Sequence, residues 1–170
     1  MLIYLIIILA VISRLVPHFP NFGAITALAI FSAAYLPTKQ AVVIPLAARL
    51  ISDLIIGFFS WPLMIAVYGA HLSGVLFGLW IKKSPNSDRW LKIVFSGLSA
   101  SIIFFLVTNF AWLYPNYPHN FAGILLSYTN GLPFLRGTMM GDVGYVVALF
   151  GVYELALFFK RKTELKKITI

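Results

Sequence analysis

The chain has 170 residues, of which 61% are hydrophobic and 11% are charged, and it carries a formal charge of +8. This composition is far more apolar than that of a soluble domain, so it indicates an integral membrane protein built as one domain over residues 1–170. Most basic residues fall in short loops and the tail, which favours membrane topology over nucleic-acid binding. The absence of cysteine excludes disulfides, thiolate metal sites and cysteine nucleophiles.

The first apolar run, LIYLIIILAVIS, begins at Leu2 and lacks the basic segment and the cleavage site of a signal peptide. Up to Val16 it reaches only about 22 Å, against about 30 Å of hydrocarbon. The turn PHFPNF that follows is therefore expected to dip into the membrane. Backbone groups freed from a helix need partners there, so the turn either shapes a binding cavity or is an ordinary loop between two spanning helices.

Five more apolar runs follow, and with the first they predict an all-α bundle of six transmembrane helices. The second is short, at residues 22–35, and the next three cover residues 40–59, 62–81 and 93–113. A polar and aromatic segment at 114–137 separates them from the last run, at 138–159. Because this long outer segment contains the apolar stretch FAGILLSYTNGLPFL, we interpret it as a lid or plug with a short interfacial helix.

The basic residues predict the orientation of the bundle. With both termini in the cytoplasm, the positive-inside rule is satisfied by Lys39, Lys82, Lys83, Arg89, Lys92 and the basic tail. Three arginines are left in the outer half of the membrane or at its edge: Arg14, Arg49 and Arg136. Topology does not explain these three, so each needs a local role.

Asp53 and Asp142 lie inside membrane runs, where an ionisable group is costly enough to imply a partner or a function. Arg49 and Asp53 are four residues apart on one helix face, so they form either a purely structural pair or a part of a site. Asp142 either caps the start of the sixth helix or contributes to the site. His71 is either a core histidine bonded to a carbonyl or a site residue.

Polar and aromatic side chains gather at one depth toward the outer side of the bundle, which predicts a small-molecule pocket. Such pockets have apolar walls and a few directed polar groups. Tyr114 and Tyr117 are better explained as an interfacial aromatic belt. The predicted substrate-binding residues are Arg14, His18, Asn21, Asp53, His71, Asn109, Trp112, Tyr128, Arg136, Asp142 and Tyr145.

Small residues recur at every fourth position in two helices. The fourth run has them from Ala66 to Gly78, and the second run has Ala29 and Ala33. Such stripes let another helix approach closely. They either pack the bundle internally or receive a partner protein, and Ala29 and Ala33 are the candidates for partner docking.

Motifs of soluble enzymes are missing from the sequence. It contains no GxxxxGK[ST] phosphate loop, no HExxH pair and no GxSxG elbow, and no nucleophile with a neighbouring base is evident. We therefore expect no enzyme activity, no cofactor, no metal site and no nucleic-acid partner. The energy source for any uptake would lie outside this polypeptide.

Four stretches carry a resemblance to a known family: RLVPHFPNFGAITALAIFSAAYL, RLISDLIIGF, NFAWLYP and SYTNGLPFLRGTMMGDVGY. Their order resembles the substrate-binding S components of energy-coupling factor (ECF) vitamin transporters, and more closely a family of small uncharacterised bacterial membrane proteins related to them. The resemblance implies a six-helix bundle in the bacterial cytoplasmic membrane, with an outward-facing, vitamin-sized pocket that the first outer loop closes.

The same resemblance implies a partner, a membrane coupling protein driven by two ATPase subunits. In S components the docking helix is the first one and carries an AxxxA pattern. In this chain the first helix is bulky, and the AxxxA pattern is that of Ala29 and Ala33 in the second helix.

The leading hypothesis is a substrate-capture subunit of a nutrient uptake transporter, surrounded by membrane lipids, that binds a small water-soluble molecule from outside. The mixed charges and aromatic residues suit a zwitterionic or heteroaromatic molecule, a dipeptide or a nucleoside. The alternative is a solitary proton-coupled or metal permease that uses His71, Asp53 and Asp142. An intramembrane enzyme that pairs His71 with a carboxylate is a remote third hypothesis.

Overall fold

The computed structural model describes residues 2–16 and 21–168, and all regular structure in these ranges is helical. The six α-helices are α1 (Leu2–Leu15), α2 (Ile25–Tyr35), α3 (Thr38–Ile56), α4 (Trp61–Lys82), α5 (Arg89–Thr108) and α6 (Phe121–Ile168). Two short 3-10 helices cover Asn86–Asp88 and Ala111–Leu113. The prediction of an all-α chain is confirmed for the described residues.

Three helices of the described chain are long and apolar enough to cross a membrane, at Trp61–Lys82, Arg89–Thr108 and Phe121–Lys162. They indicate a membrane protein. Helices α1 and α2 are shorter, with 14 and 11 residues. At 1.5 Å per residue, α2 reaches only about 16 Å, roughly half of the hydrocarbon thickness.

The short helix α2 is the centre of the bundle. Every residue from Ile25 to Ala34 is buried, because α3, α4 and α6 pack around it. A helix that is apolar on all sides is expected to lie inside a larger structure. Phe31 of α2 meets Phe150 of α6 edge to face, with ring centroids 5.4 Å apart.

Glycines of α4 bring its backbone against α2. A Cβ atom on Gly78 would lie 2.2 Å from the Ile30 carbonyl oxygen and 2.6 Å from the Ala33 Cβ. Ala29 and Ala33 are fully buried in this contact, with 0% exposure. In the structure, the surface of the two alanines proposed for partner docking is covered by the packing of α4 against α2.

The last helix is longer than the sequence predicts. α6 runs without a break from Phe121 to Ile168 and includes Pro133. The expected outer segment at 114–137 is therefore wrong from residue 121 onward, where the chain is already helical although Pro133 lacks a backbone N–H and its ring crowds the preceding turn. With 48 residues, α6 is about 72 Å long, more than twice the hydrocarbon thickness.

The two ends of the bundle differ in chemistry. At one, the basic end, Lys82 Nζ donates to the Leu36 carbonyl at 3.1 Å and Arg89 donates to the Tyr35 hydroxyl at 2.8 Å. The other, which we call the vestibule end, holds the last turns of α1, α3 and α5 and the first turns of α2, α4 and α6. The candidate site lies at the vestibule end.

Candidate solute-binding site

The ends of α1 and α3 and the turn before α2 place charged and polar groups at the vestibule end. Gly57 has φ 110°, a value that suits glycine, and it ends α3 with its N–H bonded to the Asp53 carbonyl at 2.8 Å. Asp53 thus lies in the last turn of α3. Arg14 lies in the last turn of α1, where the helix dipole favours a cation. Asn21 has φ 59°, a left-handed conformation that asparagine tolerates, and it starts the turn into α2.

Asp53 is the hub of a buried charge cluster. Its two carboxylate oxygens accept from Arg14 Nη1 at 2.7 Å and from Arg49 Nε at 2.8 Å, and the Tyr68 hydroxyl donates to it at 2.9 Å. The Asp53 side chain is 1% exposed. Ser52 completes the cluster through contacts with Arg14 Nη1 and, at 2.7 Å, with the Arg49 carbonyl. Three helices, α1, α3 and α4, are joined at this one carboxylate.

Arg49 is more than the partner of Asp53 within one helix. Its guanidinium lies 5.6 Å from the ring centroid of Phe59 and 5.8 Å from that of Tyr68, as in cation–π contacts. Its Nη1 is 3.4 Å from His71 Nε2. Arg49 therefore pairs with Asp53 and also contacts His71 on another helix. The two roles that the sequence left as alternatives, structural pairing and a place in the site, occur together.

His71 links this cluster to Asp142. A guanidinium can only donate, so His71 Nε2 accepts from Arg49, and Nδ1 then carries the ring proton toward Thr26 Oγ1 at 2.9 Å. The Thr26 hydroxyl also bonds Asp142. These contacts form a hydrogen-bond chain from Asp53 through Arg49, His71 and Thr26 to Asp142.

Asp142 lies 3% exposed in the middle of α6. It therefore does not cap the start of that helix. Its Oδ2 lies 2.8 Å from Ser101 Oγ of α5. Asp142 thus joins α5 and, through Thr26, α2 to the same polar interior.

A cavity of about 120 Å³, the inner cavity, lies among these groups. Two arginines, a histidine and a carboxyl group face one small space, while the Phe104 ring lies 4.8 Å from the His71 ring. The residues that line it are Arg14, Asn21, Gly23, Ile25, Thr26, Arg49, His71, Phe104, Thr138 and Asp142.

A second cavity of about 510 Å³, the vestibule, adjoins the inner one and shares Asn21 and Phe104 with it. Its walls combine apolar rings with amide and hydroxyl groups. They are Asn21, Phe59, Leu63, Val67, Phe104, Thr108, Asn109, Tyr114, Asn116, Tyr117, Ser127, Asn130, Gly131 and Phe134. Its volume is within the range of small-molecule pockets, about 300–1,000 Å³, whereas the inner cavity holds only a small group.

Several residues of the predicted site come together. Arg14, Asn21, His71 and Asp142 line the inner cavity, and Asn109 lines the vestibule. Asp53 lies behind the arginines and orients them, without itself lining the inner cavity. His18 lies outside the described residues.

The structure does not bring the other four predicted residues to either cavity. Trp112 stacks between Phe110 and His119 with ring centroids 4.9 and 5.3 Å away. The Tyr128 hydroxyl bonds the Leu106 carbonyl, and Tyr145 packs on Phe22 with ring centroids 5.4 Å apart. Arg136 is exposed. The four residues were grouped with the others by depth, and depth along a helix does not tell which way its side chains point.

Other lining residues were not among the predicted ones. Tyr114 and Tyr117, assigned to an aromatic belt, line the vestibule, where the Tyr114 hydroxyl donates to the Thr108 carbonyl at 2.7 Å. Burial raises the pKa of this hydroxyl, so it stays a neutral donor. Thr26 and Thr138 carry no signal in sequence, since buried hydroxyls in membrane helices are common.

Comparison with known proteins gives a family and no function. Residues 1–166 match a family described as "Family of unknown function (DUF6580)". No curated protein and no solved structure matches the chain.

Proposed function

The chain belongs to the family of unknown function DUF6580, and we propose that it captures a small water-soluble solute for uptake across a membrane. The observation that carries the proposal is the pair of adjoining cavities, one open and aromatic, the other small and charged. Intramembrane ionisable groups are costly and are usually retained for a function. Here the two arginines, His71 and Asp142 face a cavity instead of closing entirely on one another.

The two cavities bind different parts of the solute. The vestibule, with Tyr114, Tyr117 and four asparagines, takes the body of a solute by ring contacts and hydrogen bonds. The inner cavity takes one polar group, which Arg14, Arg49 and His71 hold by directed donors and acceptors. A solute that fills both therefore passes Asn21 and Phe104, which border both spaces.

The proposed membrane location and partner of the protein follow from its basic residues and its family resemblance. The chain sits in a bacterial cytoplasmic membrane with six crossings, both termini inside and the vestibule end outside. The basic residues support this orientation, because Lys82, Arg89 and Lys92 lie at the opposite end from the cavities. The resemblance to ECF S components supports a coupling protein with two ATPase subunits as the partner. Because α4 covers Ala29 and Ala33, we place the docking surface for this partner elsewhere on the chain.

Depletion of solutes from a defined growth medium tests this function. Cells that express the wild-type chain with its native partners are compared with cells that lack its gene and with cells that express Thr138→Leu. Thr138 lines the inner cavity, so leucine fills it. We expect one or a few small solutes to disappear from the medium only with the wild type. Equal depletion by all three strains would refute a role in uptake.

A second candidate, a solitary proton-coupled permease, is favoured by one observation. His71 and Asp142, two side chains that can take up and release a proton, line the inner cavity and are linked by hydrogen bonds through Thr26. Liposomes that contain only the purified chain and a pH-sensitive dye test it. Acidification of the lumen driven by a medium solute would favour the permease, and a requirement for ATP and partners would exclude it.

A further inference from the structure

The cluster of Arg14, Arg49 and Asp53 has a surplus of positive charge. Arg14 and Arg49 share one carboxylate, that of Asp53, at 2.7 and 2.8 Å. Two positive charges and one negative charge leave one positive charge in excess. The Asp142 carboxyl group lies on the wall of the same cavity, where it bonds the hydroxyls of Ser101 and Thr26 and has no described ion pair with either arginine.

This surplus faces the cavity. Asp53 is 1% exposed and is absent from the cavity wall, while the side chains of Arg14 and Arg49 are 15% and 12% exposed and form part of that wall. Asp53 therefore bonds the two guanidinium groups on the side that faces away from the cavity. A molecule in the inner cavity meets the donor edges of the arginines and not the Asp53 carboxylate, while the Asp142 carboxyl group lies elsewhere on the cavity wall.

From this charge arrangement we propose that the captured solute carries a carboxylate, and that this group enters the inner cavity and bonds Arg14 and Arg49. The inference rests on the proposed function and names the class of solute for that site. A carboxylate matches the planar fork of a guanidinium and accepts two parallel hydrogen bonds from it. Its single negative charge also neutralises the single surplus positive charge, which lowers the cost of charge at membrane depth.

The size of the inner cavity agrees with a carboxylate head. At about 120 Å³ it is too small for a whole vitamin-sized solute, whose body fits the vestibule of about 510 Å³. A phosphate dianion would bring one more negative charge than the surplus. The site therefore favours carboxylates over inorganic phosphate.

Matched pairs of small solutes test the inference on the purified, full-length protein. The probes are acetate with acetamide, benzoate with benzamide and nicotinate with nicotinamide, with inorganic phosphate as a further anion, all at constant ionic strength. Binding is measured as the concentration-dependent rise of the unfolding temperature, followed by tryptophan fluorescence. We expect at least one carboxylate to stabilise the protein while its amide, of the same shape, does not.

Conservative substitutions of the two arginines test the paired guanidinium donors without removing the positive charge. Arg14→Lys and Arg49→Lys retain the charge that Asp53 needs but lose the paired donors, so each is expected to weaken carboxylate binding about tenfold. The control is Arg136→Lys on α6, an exposed position away from both cavities. That variant is expected to bind carboxylates as the wild type does.

The possible results separate this inference from the proposed function. Equal binding of acids and amides, preference for amides, or phosphate binding as tight as that of the carboxylates would overturn the carboxylate inference and leave solute capture in place. Loss of affinity in Arg136→Lys as large as in Arg49→Lys would also overturn it. The absence of binding by every probe, together with no depletion of any solute by cells, would overturn both.

Discussion

At the residue scale, Asp53 determines how the other charges of the site are arranged. Its carboxylate accepts hydrogen bonds from Arg14, Arg49 and Tyr68, each from a different helix. The spacing of Arg49 and Asp53 already predicts their pairing in sequence, because residues four apart share a helix face. The third partner, Arg14, is 39 positions away, and no local pattern predicts it.

Replacement of Asp53 by asparagine is expected to destabilise the protein strongly. Removal of the shared carboxylate leaves two partly buried arginines without their counter-charge, a change that costs about 3 kcal/mol or more. The matched control is Asp88→Asn, because Asp88 is 61% exposed and pairs with Lys92 only at 4.0 Å. That change should cost less than about 1 kcal/mol. Thermal unfolding of both variants in detergent measures the difference, and equal losses of stability would contradict the hub role of Asp53.

At the element scale, the close contact of α2 with α4 organises the bundle. The sequence predicts close helix packing from the stripe of small residues, and Gly74 and Gly78 of α4 do face α2. It does not identify the neighbour, since a stripe is equally suited to a partner protein. The long helix α6 is the opposite case, because the sequence separates residues 114–137 from the last apolar run, whereas the helix continues through Pro133 from Phe121 to Ile168.

A methyl group added at Gly78 is expected to force α2 and α4 apart. In Gly78→Ala the new Cβ would lie 2.2 Å from the Ile30 carbonyl oxygen, a backbone atom that cannot move alone. Overpacking of this kind costs about 1–3 kcal/mol. Gly69→Ala on the same helix is the control, because nothing lies within 4 Å of its new Cβ and alanine favours helix. A Gly78→Ala variant as stable as Gly69→Ala would argue against the contact.

The continuity of α6 can be measured directly, since the chain has no cysteine and spin labels can be attached to introduced ones. Leu125 and Val147 are exposed, with 60% and 38% exposure, and both belong to α6. They are 22 positions apart, so a continuous helix places their backbones about 33 Å from each other. Pulsed electron resonance on Leu125→Cys combined with Val147→Cys should give a narrow distribution near that value. A broad or much shorter distribution would indicate a broken helix.

At the scale of the whole molecule, the chain encloses a charged cavity with helices that are mostly apolar. Composition predicts the membrane class and the all-α fold, and the rarity of intramembrane charges identifies Arg14, Asp53 and Asp142 as residues of interest. The direction of each side chain depends on how the helices rotate against one another. For that reason Tyr145 and Trp112 were assigned to the site, whereas Tyr114 and Tyr117 were left out of it.

Native mass spectrometry of the detergent-purified protein is the most direct test of solute capture. Thr138 lines the inner cavity and bonds the Phe134 carbonyl of its own helix at 3.0 Å, so Thr138→Leu fills the cavity without breaking a contact between helices. Thr129→Leu is the matched control, because Thr129 is exposed on the same helix and makes the equivalent bond to Leu125 at 2.7 Å. We predict a small solute bound to the wild type and to Thr129→Leu, and lost from Thr138→Leu. An empty wild-type protein, or the same solute retained by both variants, would contradict capture in the inner cavity.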